Sequence, residues 1–194
     1  MFFDRKNEFK PDKTRSGLLS HLHLTQKQRR SFLKWLLVTL FLVVVSVLQD
    51  VIFSRTDVLG GRLDLVSALL LLACVAQDPE VGSIFVLTGS AFYWCTGSSP
   101  GAYVIALLTV LGVFFGIVRH CYLHQGFGST WLCAGGAMVL YEAALLGIGL
   151  FLDQTDLARA PEFLIRAGLS VAVMPLFYPV IKAICHNGGT TWNE

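Results

Sequence analysis

Charge is what this sequence has least of: only 14% of its 194 residues are Asp, Glu, Lys or Arg, against about 25% in a typical soluble domain. A chain so poor in charge is not built to present its whole surface to water. Paired cysteine motifs are missing as well. Cys74, Cys95, Cys121, Cys133 and Cys185 form no C-x-x-C pair, and their scatter through apolar segments suits buried packing residues and not a disulfide framework. There is no tandem period, no low-complexity linker and no mark of a second soluble domain. Residues 1–31 are polar and basic, without the short apolar core and small-residue site of a cleaved secretory signal, so the N-terminus is expected to be retained.

What the chain has is apolar length, with 54% hydrophobic residues. The clearest run is Phe32 to Phe53, broken strongly only by Lys34, Gln49 and Asp50. A bilayer core of about 30 Å needs roughly 20 helical residues, and every backbone polar group must be satisfied inside the helix because water is absent. Further apolar stretches fall near Leu63–Ala76, Gly82–Trp94, Ala102–Val118, Trp131–Leu152 and Pro161–Ile184. The expected fold is therefore an all-α polytopic membrane protein, a compact bundle of five or six transmembrane helices. The second and third stretches are too short to cross as straight independent helices, so they form a helical hairpin or extend into their polar flanks. The expected organisation is a basic tail at 1–31, a helical domain at 32–184 and a short tail at 185–194.

Nine of the 15 basic residues precede the second turn of the first span: Arg5, Lys6, Lys10, Lys13, Arg15, Lys27, Arg29, Arg30 and Lys34. Short basic segments beside a span stay in the cytoplasm, which places the N-terminus there. With six crossings, the Arg119–Thr130 loop and the tail from Lys182 are cytoplasmic too, and the acidic loop of Asp153, Asp156 and Glu162 is outside. The charge run reads first as a solvated tail that sets topology, and second as a docking arm for a partner or lipid. Pro79, Pro100 and Pro161 punctuate helix entries, whereas Pro175 and Pro179 lie inside the last apolar stretch and are expected to kink it.

Glycines recur at helical spacing, notably Gly112 with Gly116, Gly135 beside Gly136, and Gly147 with Gly149. Small faces let helices approach in lipid, either within the chain or for a partner's membrane helix; Gly112, Gly116 and Gly135 are the candidate partner-binding positions. Glu142 joins them as the most conspicuous polar residue, near the middle of the fifth stretch. A carboxylate there costs a few kcal/mol against lipid, so it is protonated, paired or turned inward. Arg166 can pair with it if their depths match. Gln49 and Asp50 close the first span near an interface, and Asp64 reads as a helix-start residue.

Chemistry-bearing constellations are scarce. His120 and His124 stand one turn apart without an accompanying Glu, and Gly126-Phe127-Gly128 lacks the surroundings of a phosphate loop. His21 and His23 show no partner. No nucleophile with a base and no pair of carboxylates on one face can be assembled, so the reading is of a non-enzyme with no cofactor, no metal and no nucleic acid.

The order of motifs resembles a family. A basic tail, a first span ending in Leu48-Gln49, Gly61-Arg62-Leu63-Asp64-Leu65-Val66 at the second span, Asp78-Pro79-Glu80-Val81-Gly82 opening a glycine-bearing hairpin, the Ser99-Pro100-Gly101 turn, Ala106-Leu107, and Leu111-Gly112 with Gly116 are similar to the rod shape-determining MreD family. The resemblance covers Trp35 to Ile184. It departs where the family has Pro before the Asp of the second span, here Leu63, and an Asp ending the third span, here Ser90, Tyr93 and Trp94. It implies a non-catalytic scaffold of the bacterial inner membrane that binds the bitopic protein MreC. Such a scaffold helps couple MreB to RodA and its transpeptidase in cell-wall elongation. The alternative is a substrate-binding subunit of an energy-coupling-factor vitamin transporter, whose general fold the family is thought to share. In that case Glu142, Trp131 and Tyr141 would line an outward cavity.

Overall fold

The computed structural model describes residues 26–53, 63–97, 99–123 and 126–187. Arg5, Lys6, Lys10, Lys13, Arg15, His21 and His23 of the tail, Gly61, Arg62 and His124 lie outside them. Six α-helices follow in order: α1 (Gln26–Leu48), α2 (Leu65–Ala76), α3 (Pro79–Cys95), α4 (Tyr103–Tyr122), α5 (Phe127–Phe151) and α6 (Ala160–Asn187). A π-helical turn, Gln49–Phe53, extends α1, and a short 3-10 turn, Leu157–Arg159, leads into α6. There is no strand among the described residues. Among the described residues three helical segments, Tyr103–Tyr122, Phe127–Phe151 and Leu157–Ile184, are long and apolar enough to cross a membrane.

The bundle is organised around α2. This helix has 12 residues, about 18 Å at 1.5 Å per residue, and every side chain from Leu65 to Val75 is buried. The other five helices all pack against it. A helix apolar on every side can be buried on every side, and the Leu-Val-Ser-Ala-Leu-Leu-Leu-Leu sequence leaves no polar face to turn outward. Of the two alternatives, a hairpin or an extension into the polar flanks, this segment does not take the extension. Instead α2 and α3 make a hairpin joined by Gln77 and Asp78, with Pro79 at the start of α3 where its missing donor costs nothing.

Both ends of α2 carry dedicated partners, because a buried helix end cannot leave its terminal groups to water. At its start the Asp64 side chain accepts from the Ser67 backbone N–H at 3.1 Å, as a helix-start residue should. At its end the Arg119 guanidinium, reaching over from α4, donates to the Val75 carbonyl. Gly82 of α3 permits the tight hairpin: a Cβ there would lie 2.5 Å from the Cys74 carbonyl oxygen.

The long final helix runs through both of its prolines as one element. Pro175 has no N–H to give the Val171 carbonyl four residues earlier. Trp131 of α5 supplies the missing donor, its indole Nε1–H reaching the Val171 oxygen at 3.2 Å. On α1, Val38, Leu42, Val45 and Gln49 face inward, while Leu33, Leu36, Leu40, Val44, Val47 and Val51 form an exposed apolar stripe. Exposed apolar area of that extent is foreign to a monomer in water.

A candidate functional site of buried charges

At the end of the bundle where α1, α3 and α5 finish and α2 and α6 begin, the interior turns polar. Its centre is a triad. The Arg166 Nη2 lies 3.1 Å from Asp64 Oδ2, and the Arg166 Nε lies 3.0 Å from Glu142 Oε1. Asp64 and Glu142 are 0% and 1% exposed, whereas the Arg166 side chain keeps 24% of its surface. A lone carboxylate in such surroundings would be prohibitively placed; a guanidinium fork between two of them offsets the cost of removing them from water.

The two carboxylates are held very differently. Asp64 accepts from the Ser67 N–H, from the Tyr93 hydroxyl at 3.3 Å to each oxygen, and from Arg166 with hydrogen-bond geometry. Its own backbone N–H donates to the Ser170 hydroxyl of α6 at 3.3 Å. Among the described residues Glu142 has only the charge contact with Arg166: the N–H there is not aligned as a hydrogen bond, and neither Glu142 oxygen accepts one from another donor. The adjacent Tyr141 hydroxyl, fully buried, also has no hydrogen-bond partner among the described residues.

Gln49 closes the cluster from α1. Its Oε1 accepts from the Val66 N–H at 2.8 Å, satisfying another terminal donor of α2, and its Nε2 points to the Tyr93 hydroxyl at 3.5 Å. The π-helical turn begins at this residue. Side chains from α1, α3, α5 and α6 thus converge on the N-terminus of α2, where the helix dipole favours the negative charge of Asp64.

In agreement with the sequence reading, Glu142 is turned inward and paired, with Arg166 at matching depth. Asp64 starts a helix as expected, and carries the ion pair besides. Gln49 is buried in the bundle, and Asp50 beside it is exposed. Tyr93, Ser170 and Gln49 are members that sequence reasoning did not single out as a site. The available signal was that each is a polar side chain within a largely apolar stretch.

The small-residue positions have partners within the chain. A Cβ on Gly112 would meet Cys74 Sγ at 3.2 Å and Val86 at 3.4 Å, one on Gly116 would meet the Cys74 carbonyl at 3.8 Å, and one on Gly135 would meet Val171 at 3.3 Å. A partner helix could reach these faces only by displacing α2, α3 or α6. Trp131, expected beside Glu142 and Tyr141 in a cavity, sits about three turns earlier on α5 and is occupied with Val171.

Comparison of the chain with protein-family models, curated proteins and solved structures finds no match.

Proposed function

We propose that this chain is a multi-pass protein of the bacterial inner membrane, with its N-terminus in the cytoplasm and six helices in the bilayer, and that it serves as a non-catalytic scaffold of the MreD type. In this role it binds an MreC-like bitopic protein and helps couple it to the MreB cytoskeleton and the RodA–transpeptidase synthase. The observation that carries the reading is the use made of the intramembrane charges: they pair with one another across α2, α5 and α6. Charges so spent hold helices in place, as a platform requires, and leave the outer helix faces apolar for lipid or a partner's membrane helix. In this orientation the triad lies toward the outer end of the bundle, near Asp153, Asp156 and Glu162.

The test is a mild-detergent pull-down of the tagged chain from its native membrane, with mass spectrometry of stoichiometric partners. Recovery of an MreC-like bitopic protein with cell-wall synthases is the expected result. Recovery of paired ATPases with a coupling membrane subunit would replace this reading by the energy-coupling-factor one. One observation favours that second reading: the Tyr141 hydroxyl and both Glu142 oxygens, adjacent on α5, have hydrogen-bonding capacity that no group among the described residues uses.

A further inference from the structure

The triad does not balance. Two carboxylates meet one guanidinium, so with all three ionised a full negative charge would sit among groups that are nine-tenths or more buried, apart from the Arg166 edge. Tyr93, Tyr141, Gln49 and Ser170, the other polar members among the described residues, are neutral and cannot cancel it. Of the helices packed on α5, α2 brings Asp64 and α6 brings Arg166 to Glu142. The titratable side chains of α4, Tyr103, Arg119, His120, Cys121 and Tyr122, lie in its first and last turns. Among the described residues no further cation faces Glu142 from these helices.

We propose that the Asp64–Arg166–Glu142 triad is a proton-binding site, holding one exchangeable proton on Glu142. The hydrogen bonds decide which carboxylate takes it. Asp64 receives N–H and O–H donors from α2, α3 and α6, and each of these stabilises the charged form. Glu142 receives none, so ionising it gains only an unaligned Coulomb contact, while protonating it removes the surplus charge. A proton also needs no cavity, unlike any larger ligand. The open edge of Arg166 gives it a path to solvent at the end of the bundle that carries the exposed Glu162, one turn earlier on α6. When the proton leaves, uncompensated charge appears between α5 and α2, so proton occupancy sets how firmly α5 and α6 are held to the central helix. This inference is independent of which partner the protein binds.

The experiment is infrared spectroscopy of the full-length protein in lipid nanodiscs, titrated with base from neutral pH, beside Glu142→Gln and Asp64→Asn. The wild type should show a buried carboxylic-acid carbonyl band at neutral pH that titrates away as one proton. That band should be missing from Glu142→Gln and retained in Asp64→Asn. In parallel, the folded-to-unfolded ratio of the wild type in a denaturing-detergent titration should fall with rising pH, up to roughly tenfold per pH unit. The sign follows because the native state binds one proton more than the unfolded chain. Glu142→Gln, which cannot lose a proton, should flatten this dependence. A wild-type band absent at neutral pH, or a band that survives in Glu142→Gln, overturns the proposal. The wild-type titration stands alone if either variant fails to fold.

Discussion

Removing Arg166 offers the most direct test of how the bundle is held. Arg166→Met keeps much of the aliphatic bulk that packs along α6 but withdraws the cation that, among the described residues, pairs with Asp64 and Glu142, which are 0% and 1% exposed. Breaking a buried ion pair by removing one partner typically costs 3–5 kcal/mol, because the other charge is left unpaired. Two features place this site at the lower end. A quarter of the arginine surface is exposed, and Asp64 keeps its Ser67 and Tyr93 donors. The expected loss is about 3 kcal/mol, roughly a hundredfold in the folded-to-unfolded ratio. Reversible unfolding in mixed detergent micelles, followed by far-UV circular dichroism, measures it. Adding Asp64→Asn to Arg166→Met should recover much of the loss, since the surviving charge is then gone. Coupling between Asp64 and Arg166 should also exceed coupling between Glu142 and Arg166, as only the former is an aligned hydrogen bond. A cost for Arg166→Met below about 1 kcal/mol, typical of an exposed ion pair, would refute the reasoning.

Other consequences follow from single contacts. Trp131→Phe should cost about 0.5–2 kcal/mol by stranding the Val171 carbonyl, and Pro175→Ala should cancel that loss by restoring the helix's own donor; a double-mutant cycle in micelles reads the coupling. Gly82→Ala should destabilise by about 1–3 kcal/mol, as its Cβ would press on backbone, whereas Gly147→Ala, with nothing within 4 Å, should be neutral or slightly stabilising. Thermal denaturation in detergent separates the two. Gly112→Leu should lower the yield of monodisperse protein on size exclusion, since leucine has to enter the packed seam against Cys74 and Val86.

The sequence by itself determined where the helices lie. Apolar runs bounded by Pro79 and Pro161 gave segments that differ from the observed helices by only a few residues, because each backbone must hydrogen-bond within itself wherever water is excluded. It also marked Asp64 as a helix start and Glu142 as a residue in need of a partner, since both inferences depend on local rules. It could not say which apolar helix is the core. Outward-facing and buried residues of these helices are both largely apolar, so α2 reads like any other short run, and only packing reveals that it is enclosed on all sides. The occupants of the Gly112, Gly116 and Gly135 faces were hidden for the same reason. The polar cluster was illegible as a unit because the contacts that join its helices link residues 17 to 106 positions apart. Tyr93 and Ser170 are individually unremarkable until the helices carrying them are brought to one end of α2. Only the tertiary structure decided that, and with it that two carboxylates must share a single arginine.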